Sequence, residues 1–317
     1  MSTSFGFIAA FITLCCWTVG TFSFTKASTL YAPKSINRVR LLFAAVLLTI
    51  LTCFIGDVSL ITLFSKPLPA HWLWLGISGV LGLSIGDHFA FAAFKIMGSS
   101  RTSLFNTFAP GAALLGGYFL LGESINLIGI IGIVISVSGI IWFIQANRKQ
   151  QDDSINREQL TKGLIYATLA ALGQGFGLVF AKKGLILDAE YGKLMPLHAT
   201  WIRMVIATTV IYAAGIFKTD LVTEFKAIAF SKKIMKPVLI GTLFGPVMGV
   251  SMSLYAASLL EVSLAQTIFS LLPISVILWA FLLGKEKIEV RSFIAAVISV
   301  AGVFVLVWRD DIIAAFR

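Results

Sequence analysis

The sequence predicts an all-α membrane protein, with ten transmembrane helices arranged as two inverted five-helix repeats. Three observations carry that prediction. Hydrophobic residues fill 58% of the 317 positions, charged residues only 13%, and the mean hydropathy is +0.93; a soluble domain carries roughly 25% charge. The apolar residues lie in continuous runs near the ~20 residues a helix needs to cross the hydrocarbon core. Several glycines, a proline, an arginine and a glutamate of the first half recur in the second half at a fixed offset.

Ten runs qualify as spans, at about 4–24, 36–56, 70–94, 102–121, 126–145, 163–181, 199–217, 237–257, 262–283 and 290–308. In lipid a helix satisfies its own backbone groups, so long apolar runs read as helices without a periodicity test. Continuous rather than alternating runs exclude a β-barrel. The second run is the least clean, because Arg38 and Arg40 open it. No basic residue precedes Lys26, so the first run lacks the leader of a signal peptide and is expected to be retained. Cys15, Cys16 and Cys53 lie in apolar runs without metal spacing and do not read as a disulfide framework.

The polar stretch NRKQQDDSINREQLTK (147–162) divides the chain into a first repeat at 1–146, a linker at 147–161 and a second repeat at 162–317. An offset of 163 places Arg40 on Arg203, with VRLLFAAV over IRMVIATT. It also places Gly82 on Gly245, Gly86 on Gly249, Ser100 on Ser263, Pro110 on Pro273, Glu123 on Glu286 and Gly139 on Gly302. An offset of 157 places Gly6 on Gly163, Gly20 on Gly177 and Lys26 on Lys183, the difference falling in the loop after each first helix. Each match is weak alone; their shared register is the signal. An odd number of spans per repeat inverts the second copy, and such repeats hold their site near the midplane between the halves. Ser78, Gly82 and Gly86, and likewise Gly241, Gly245 and Gly249, make small-residue faces that let helices approach closely. These glycines read as scaffold.

Taken together, these features resemble the ten-helix EamA family of the drug/metabolite transporter superfamily. Trp17 with Gly20 and Lys26, then Arg40, then GLSIGDHFAFAAFKIMGSSRTSLFNTFAPGAALLGGYFLLGES (82–124) carry the resemblance. The half-repeat ends LLGE (120–123) and LLGKE (282–286) are similar to the family's Gly–Glu turn, the second with a Lys insertion. The resemblance implies two EamA repeats and a secondary transporter or exporter of small organic solutes, with a cavity between the halves. It does not imply a substrate.

Of the fifteen acids, only Asp87 falls well inside a predicted span. An acid there costs about 2.5–3.5 kcal/mol on insertion scales, which makes it a functional candidate. Two readings stand for Asp87: a proton-coupling or cation-binding carboxylate, or a structural group paired with Arg40 or Arg101 or hydrogen-bonded near the helix end. His88 comes next in the chain and has two readings, a group that titrates near neutral pH or a hydrogen-bonded interfacial histidine, the second being favoured. Call the face that holds the N-terminus side A and the other side B. Trp17 and Asp87 then lie about seven residues inside side B and Asn106 about five, a common level ~7–11 Å deep at ~1.5 Å per residue. Ser251, Tyr255 and Gln266 mirror that level near side A, and Gln174, the repeat mate of Trp17, falls near the midplane. These eight residues are the candidate solute-binding set. Phe89, Phe91, Phe94, Phe105 and Phe108 add aromatic character, which in membrane helices is commonly packing or lipid contact. Arg203 lies well inside a span; because Arg40 is its mate, a scaffold role is favoured over anion binding for both.

Eighteen of the 25 bases fall on side B loops and edges and six on side A. The positive-inside rule therefore puts side B in the cytoplasm and both termini outside. The family resemblance implies cytoplasmic termini. The charge count is weighted slightly higher. The net charge of +10 is accounted for by loops facing phospholipid, with no nucleic-acid partner.

The leading expectation is a multi-pass plasma-membrane carrier without a cofactor, monomeric or homodimeric in lipid, moving a small molecule by alternating access. A passive channel is the second reading. An intramembrane enzyme is disfavoured: Gly86-Asp87 matches half of an aspartyl protease signature, but Ser84 replaces the first Gly and no second intramembrane acid completes a dyad. No Walker A, GxGxxG or HExxH pattern occurs. Asp87 with nearby aromatics favours amines and amino acids over phosphates.

Overall fold

The structure, a computed structural model, describes residues 2–28, 30–146, 157–188, 194–215, 221–282 and 290–315. Most of the linker (147–156), Glu286 and the side chains of Phe91, Phe94, Lys95, Ser100 and Arg101 lie outside the described residues. Every described element is helical. The first half contains α1 (Ser2–Ser28), α2 (Pro33–Gly56), a short α3 (Leu60–Ser65), α4 (Pro69–Gly79), a π turn (Val80–Gly86), α5 (Asp87–Phe105), a 3₁₀ turn (Asn106–Phe108), α6 (Ala109–Leu121) and α7 (Leu127–Ala146). The second contains α8 (Arg157–Leu185), α9 (Pro196–Ala213), a short α10 (Leu221–Ala229), α11 (Lys232–Thr242), a π turn (Leu243–Gly249), α12 (Val250–Leu259), α13 (Val262–Phe269), α14 (Leu272–Leu282), α15 (Val290–Val307) and α16 (Arg309–Ala315). Seven helical stretches among the described residues are long and apolar enough to cross a membrane.

The predicted spans 102–121 and 262–283 are interrupted, at Asn106–Phe108 and after Phe269. The cause is the same in both. Pro110 and Pro273 are repeat mates that sit in the first turn of α6 and α14. Proline removes a backbone donor and disfavours α geometry in the residue before it, so each helix is broken just upstream. The chain also reverses within the helical run 87–121. From Gly86 to Met97 the contacts descend α8, from Gly173 to Gly163, whereas from Ala109 to Gly116 they ascend it, from Gly175 to Val179.

Repeat mates make equivalent contacts. A Cβ on Gly177 would stand 3.2 Å from the Gly82 Cα, and one on Gly20 would stand 3.3 Å from the Gly245 Cα. These are the same helix crossing, made once by α8 with the turn after α4 and once by α1 with the turn after α11. Between α7 and α15 the contact is reciprocal: Gly139 faces Ser299, and its mate Gly302 faces Ser136, the mate of Ser299. Gly132 meets Leu306 further along. Residue numbers rise on one helix as they fall on the other, so these two mates run antiparallel, and the halves are related by inversion. Large apolar side chains such as Phe54 (86% exposed) and Phe119 (77%) point outward. Lipid is the solvent that suits such a surface.

Candidate functional site

The two π turns, Val80–Gly86 and Leu243–Gly249, occupy matching places in the repeats. In each, the next residue bonds back five positions: the Asp87 N–H donates to the Gly82 carbonyl and the Val250 N–H to the Gly245 carbonyl. Pro246 removes a donor inside the second turn, and glycines free the first. A π turn adds a residue to a helical turn and re-aims the side chains beyond it; such turns are frequent at functional sites.

Here the first turn aims Asp87 at the interface between the halves. One carboxylate oxygen pairs with the Arg40 guanidinium from α2. The other accepts from the Gln174 Nε2 of α8, in the second half, at 3.2 Å. The same amide nitrogen lies 3.3 Å from the Gly82 carbonyl. Arg40 is held by its Nε donating to Asn37 Oδ1 at 2.6 Å, and its guanidinium lies 5.2 Å from the Phe24 ring centroid. The Arg40 and Asp87 side chains keep 14% and 16% of their surface exposed. Arg203 of α9 comes alongside: its Nη2 is 3.5 Å from where a Cβ on Gly82 would stand, and its charge acts on Asp87.

The equivalent place in the other half is apolar. Val250 stands where Asp87 would be, and Trp17 takes the position of Gln174, with its indole directly on Gly249 and edge-on to Phe269 at 5.1 Å. At this place the pseudo-symmetric frame is polar in one half and apolar in the other.

The remaining candidate residues are dispersed. His88 is exposed and packs on Phe89. Asn106 is exposed in the 3₁₀ turn, beside residues that line a cavity of about 190 Å³, among them Phe105, Phe108 and Gln145. Ser251 is buried with its hydroxyl donating to the Val247 carbonyl at 2.6 Å. Tyr255 is 38% exposed and Gln266 only 8%. Gln174, expected at mid-membrane and above Asp87, lies within hydrogen-bond reach of it. Counting residues along straight helices ignores tilt and the extra residue of the π turn.

Sequence alone does not reveal a second cross-half cluster on side A. Glu123, after α6, accepts from the Lys182 Nζ at 2.6 Å and from the Val262 N–H at 2.9 Å. Lys182 also donates to the Leu260 carbonyl at 2.5 Å, and Arg309 makes a bidentate pair with Glu261. These groups line a cavity of about 530 Å³ near the N-terminus. The Gly–Glu turn at 122–123 is the visible signal; its partners in the other half leave none. Among the described residues no cluster of His, Cys, Asp and Glu is suited to a metal ion.

No curated protein matches the chain. A solved crystal structure superposes with a TM-score of 0.71 over 96% of this chain and 97% of that one, at 16% identity, which shows a shared fold. The model of the EamA-like transporter family matches residues 4–145 and again 161–308, nearly the whole chain as two repeats. With its membrane-length apolar helices and duplicated halves, the chain is a multi-pass membrane protein of transporter type and belongs to the EamA-like transporter family.

Proposed function

We propose that this protein is a secondary carrier that moves a small organic solute (an amino acid, amine or drug-like compound) across the plasma membrane by alternating access. Ten crossings, five per repeat, are part of that reading. The observation that carries it is the Gln174–Asp87 hydrogen bond, which joins the halves at a polar site inside otherwise apolar helices. Inverted repeats rock about such a site and expose it to each side in turn.

Asp87 serves as the proton-coupling group in this reading. When ionised it holds Arg40 and accepts from Gln174. When protonated it loses the charge that holds Arg40 and becomes a weaker acceptor for the Gln174 amide, which loosens the tie between the halves. On side A, the Glu123–Lys182–Val262 cluster joins the halves when that side is shut.

Counterflow in liposomes tests the carrier reading. A panel of labelled amino acids and amines should include at least one that accumulates transiently and saturably against an unlabelled internal load. Flux that never saturates and shows no exchange would mean a passive channel. Asp87→Asn should keep exchange but lose its response to an imposed pH gradient; an unchanged gradient response rejects the coupling role.

A further inference from the structure

Among the described residues four arginines are buried or nearly so in the helical body, and three of them have a carboxylate. Arg38 pairs with Glu224, Arg40 with Asp87 and Arg309 with Glu261. Arg203 is 5% exposed and has no such partner among the described residues; its Nε is buried without any acceptor. The repeat explains why. Arg203 is the mate of Arg40, but the mate of Asp87 is Val250.

The position of this guanidinium is informative. The α9 backbone at Arg203 lies against Gly79, where a Cβ would come within 2.5 Å of its carbonyl, so glycine is needed for the approach. The side chain then reaches Gly82, its Nη2 lying 3.5 Å from where a Cβ there would stand. Gly82 also faces Gln174, and Asp87 lies one turn further on. Arg40, Arg203 and Asp87 together leave a net positive charge at a water-poor interface. A buried charge without a partner is costly, and a guanidinium presents a fork of donors that matches a carboxylate.

We propose that Arg203 receives the carboxylate of the transported solute, which makes this carrier selective for organic acids, amino acids included, over simple amines. The Gln174 amide and the Arg40–Asp87 pair form the adjoining polar wall. This inference deepens the carrier reading and rests on it for the claim that the bound acid is moved.

The test uses the purified full-length protein and two matched probe sets: butyrate, butyramide and butylamine, and 3-phenylpropionate with its amide and amine. The acids should raise the melting temperature in a saturable way, and the amides and amines should not. Arg203→Gln should weaken acid binding about 10- to 100-fold, and Arg203→Lys should keep part of it. Equal shifts for amide or amine, no shift with any acid up to tens of millimolar, or an undiminished acid shift in a monodisperse Arg203→Gln protein would each overturn the inference. Equal stabilisation by inorganic phosphate or nitrate would do the same, assigning Arg203 to an inorganic anion. The wild-type series needs no variant, so a misfolded substitution leaves the test intact. Lost acid preference with intact counterflow defeats this inference alone. Acid-selective binding without counterflow of any acid defeats the carrier reading and keeps the acid site.

Discussion

Gln174 donates to Asp87 across the boundary between the two repeats, and the two side chains belong to helices that run antiparallel there. Neither residue has a polar mate in the same role: Trp17 replaces one and Val250 the other. Duplication supplied the frame, and divergence placed the chemistry on one side of it.

The Arg40–Asp87 pair should behave as a coupled unit. Removing one member leaves the other charged and partly desolvated, at a cost of up to about 3–5 kcal/mol for a fully buried pair. With 14% and 16% of these side chains exposed, roughly half that is expected. Arg40→Gln and Asp87→Asn should each lower the melting temperature in detergent. The double variant should lose less than the sum of the two, by about 1–2 kcal/mol. Strict additivity would mean the pair contributes no coupling.

The reciprocal glycine contacts predict matched damage. A Cβ on Gly139 would lie 2.5 Å from the Ser299 hydroxyl and 2.6 Å from its backbone nitrogen, so α15 must move. Gly139→Val and Gly302→Val should each cost about 1–3 kcal/mol, the usual penalty of overpacking. Gly111→Ala should be neutral, because nothing lies within 4 Å of its Cβ position. Fluorescence-detected thermal unfolding compares the three; a large Gly111→Ala effect beside silent Gly139→Val and Gly302→Val would contradict the packing described.

Glu123 joins the two halves on side A through two donors from the second half, at 2.6 and 2.9 Å. Glu123→Gln removes a charge-assisted bond worth about 1.5–3 kcal/mol. Opening on that side should therefore become about 10- to 100-fold more frequent. In a cysteine-free background, a thiol introduced at Leu264, on the cavity wall, should react correspondingly faster with an impermeant maleimide. An unchanged rate would remove Glu123 from any gating role.

Side A should face away from the cytoplasm if the distribution of bases governs orientation. Alkaline phosphatase fused after Arg317 is then active and a fluorescent protein fused there is dark. A fluorescent fusion would put both termini in the cytoplasm, as the family resemblance implies.

Much of the fold is legible in the sequence because lipid imposes it. Continuous apolar runs leave the backbone no alternative to helix, and Pro110 and Pro273 mark where two helices break. The duplication is legible in Gly86, Gly139 and their mates Gly249 and Gly302, where a Cβ would come within 3 Å of neighbouring atoms. The π turns are not, because hydrogen bonds that skip a residue leave no trace in the apolar run of the first, and Pro246 in the second marks a break without specifying its kind. Asp87 stands out by its position alone. Its link to Gln174 depends on tilt and on the rotation of α8, which periodicity does not report in a helix apolar nearly all round. Analogy with Arg40 gives Arg203 a scaffold role; in space Arg40 pairs with Asp87, whereas Arg203, for which the repeat offers Val250 in place of that acid, makes no such pair among the described residues.

The most direct test concerns position 174. Gln174→Cys in a cysteine-free protein, reconstituted in sealed vesicles, should be modified by an impermeant thiol reagent applied from either side and protected by the solute that shows counterflow. Modification only by a lipid-soluble reagent, with no protection by that solute, would contradict a shared, alternately exposed site between the halves.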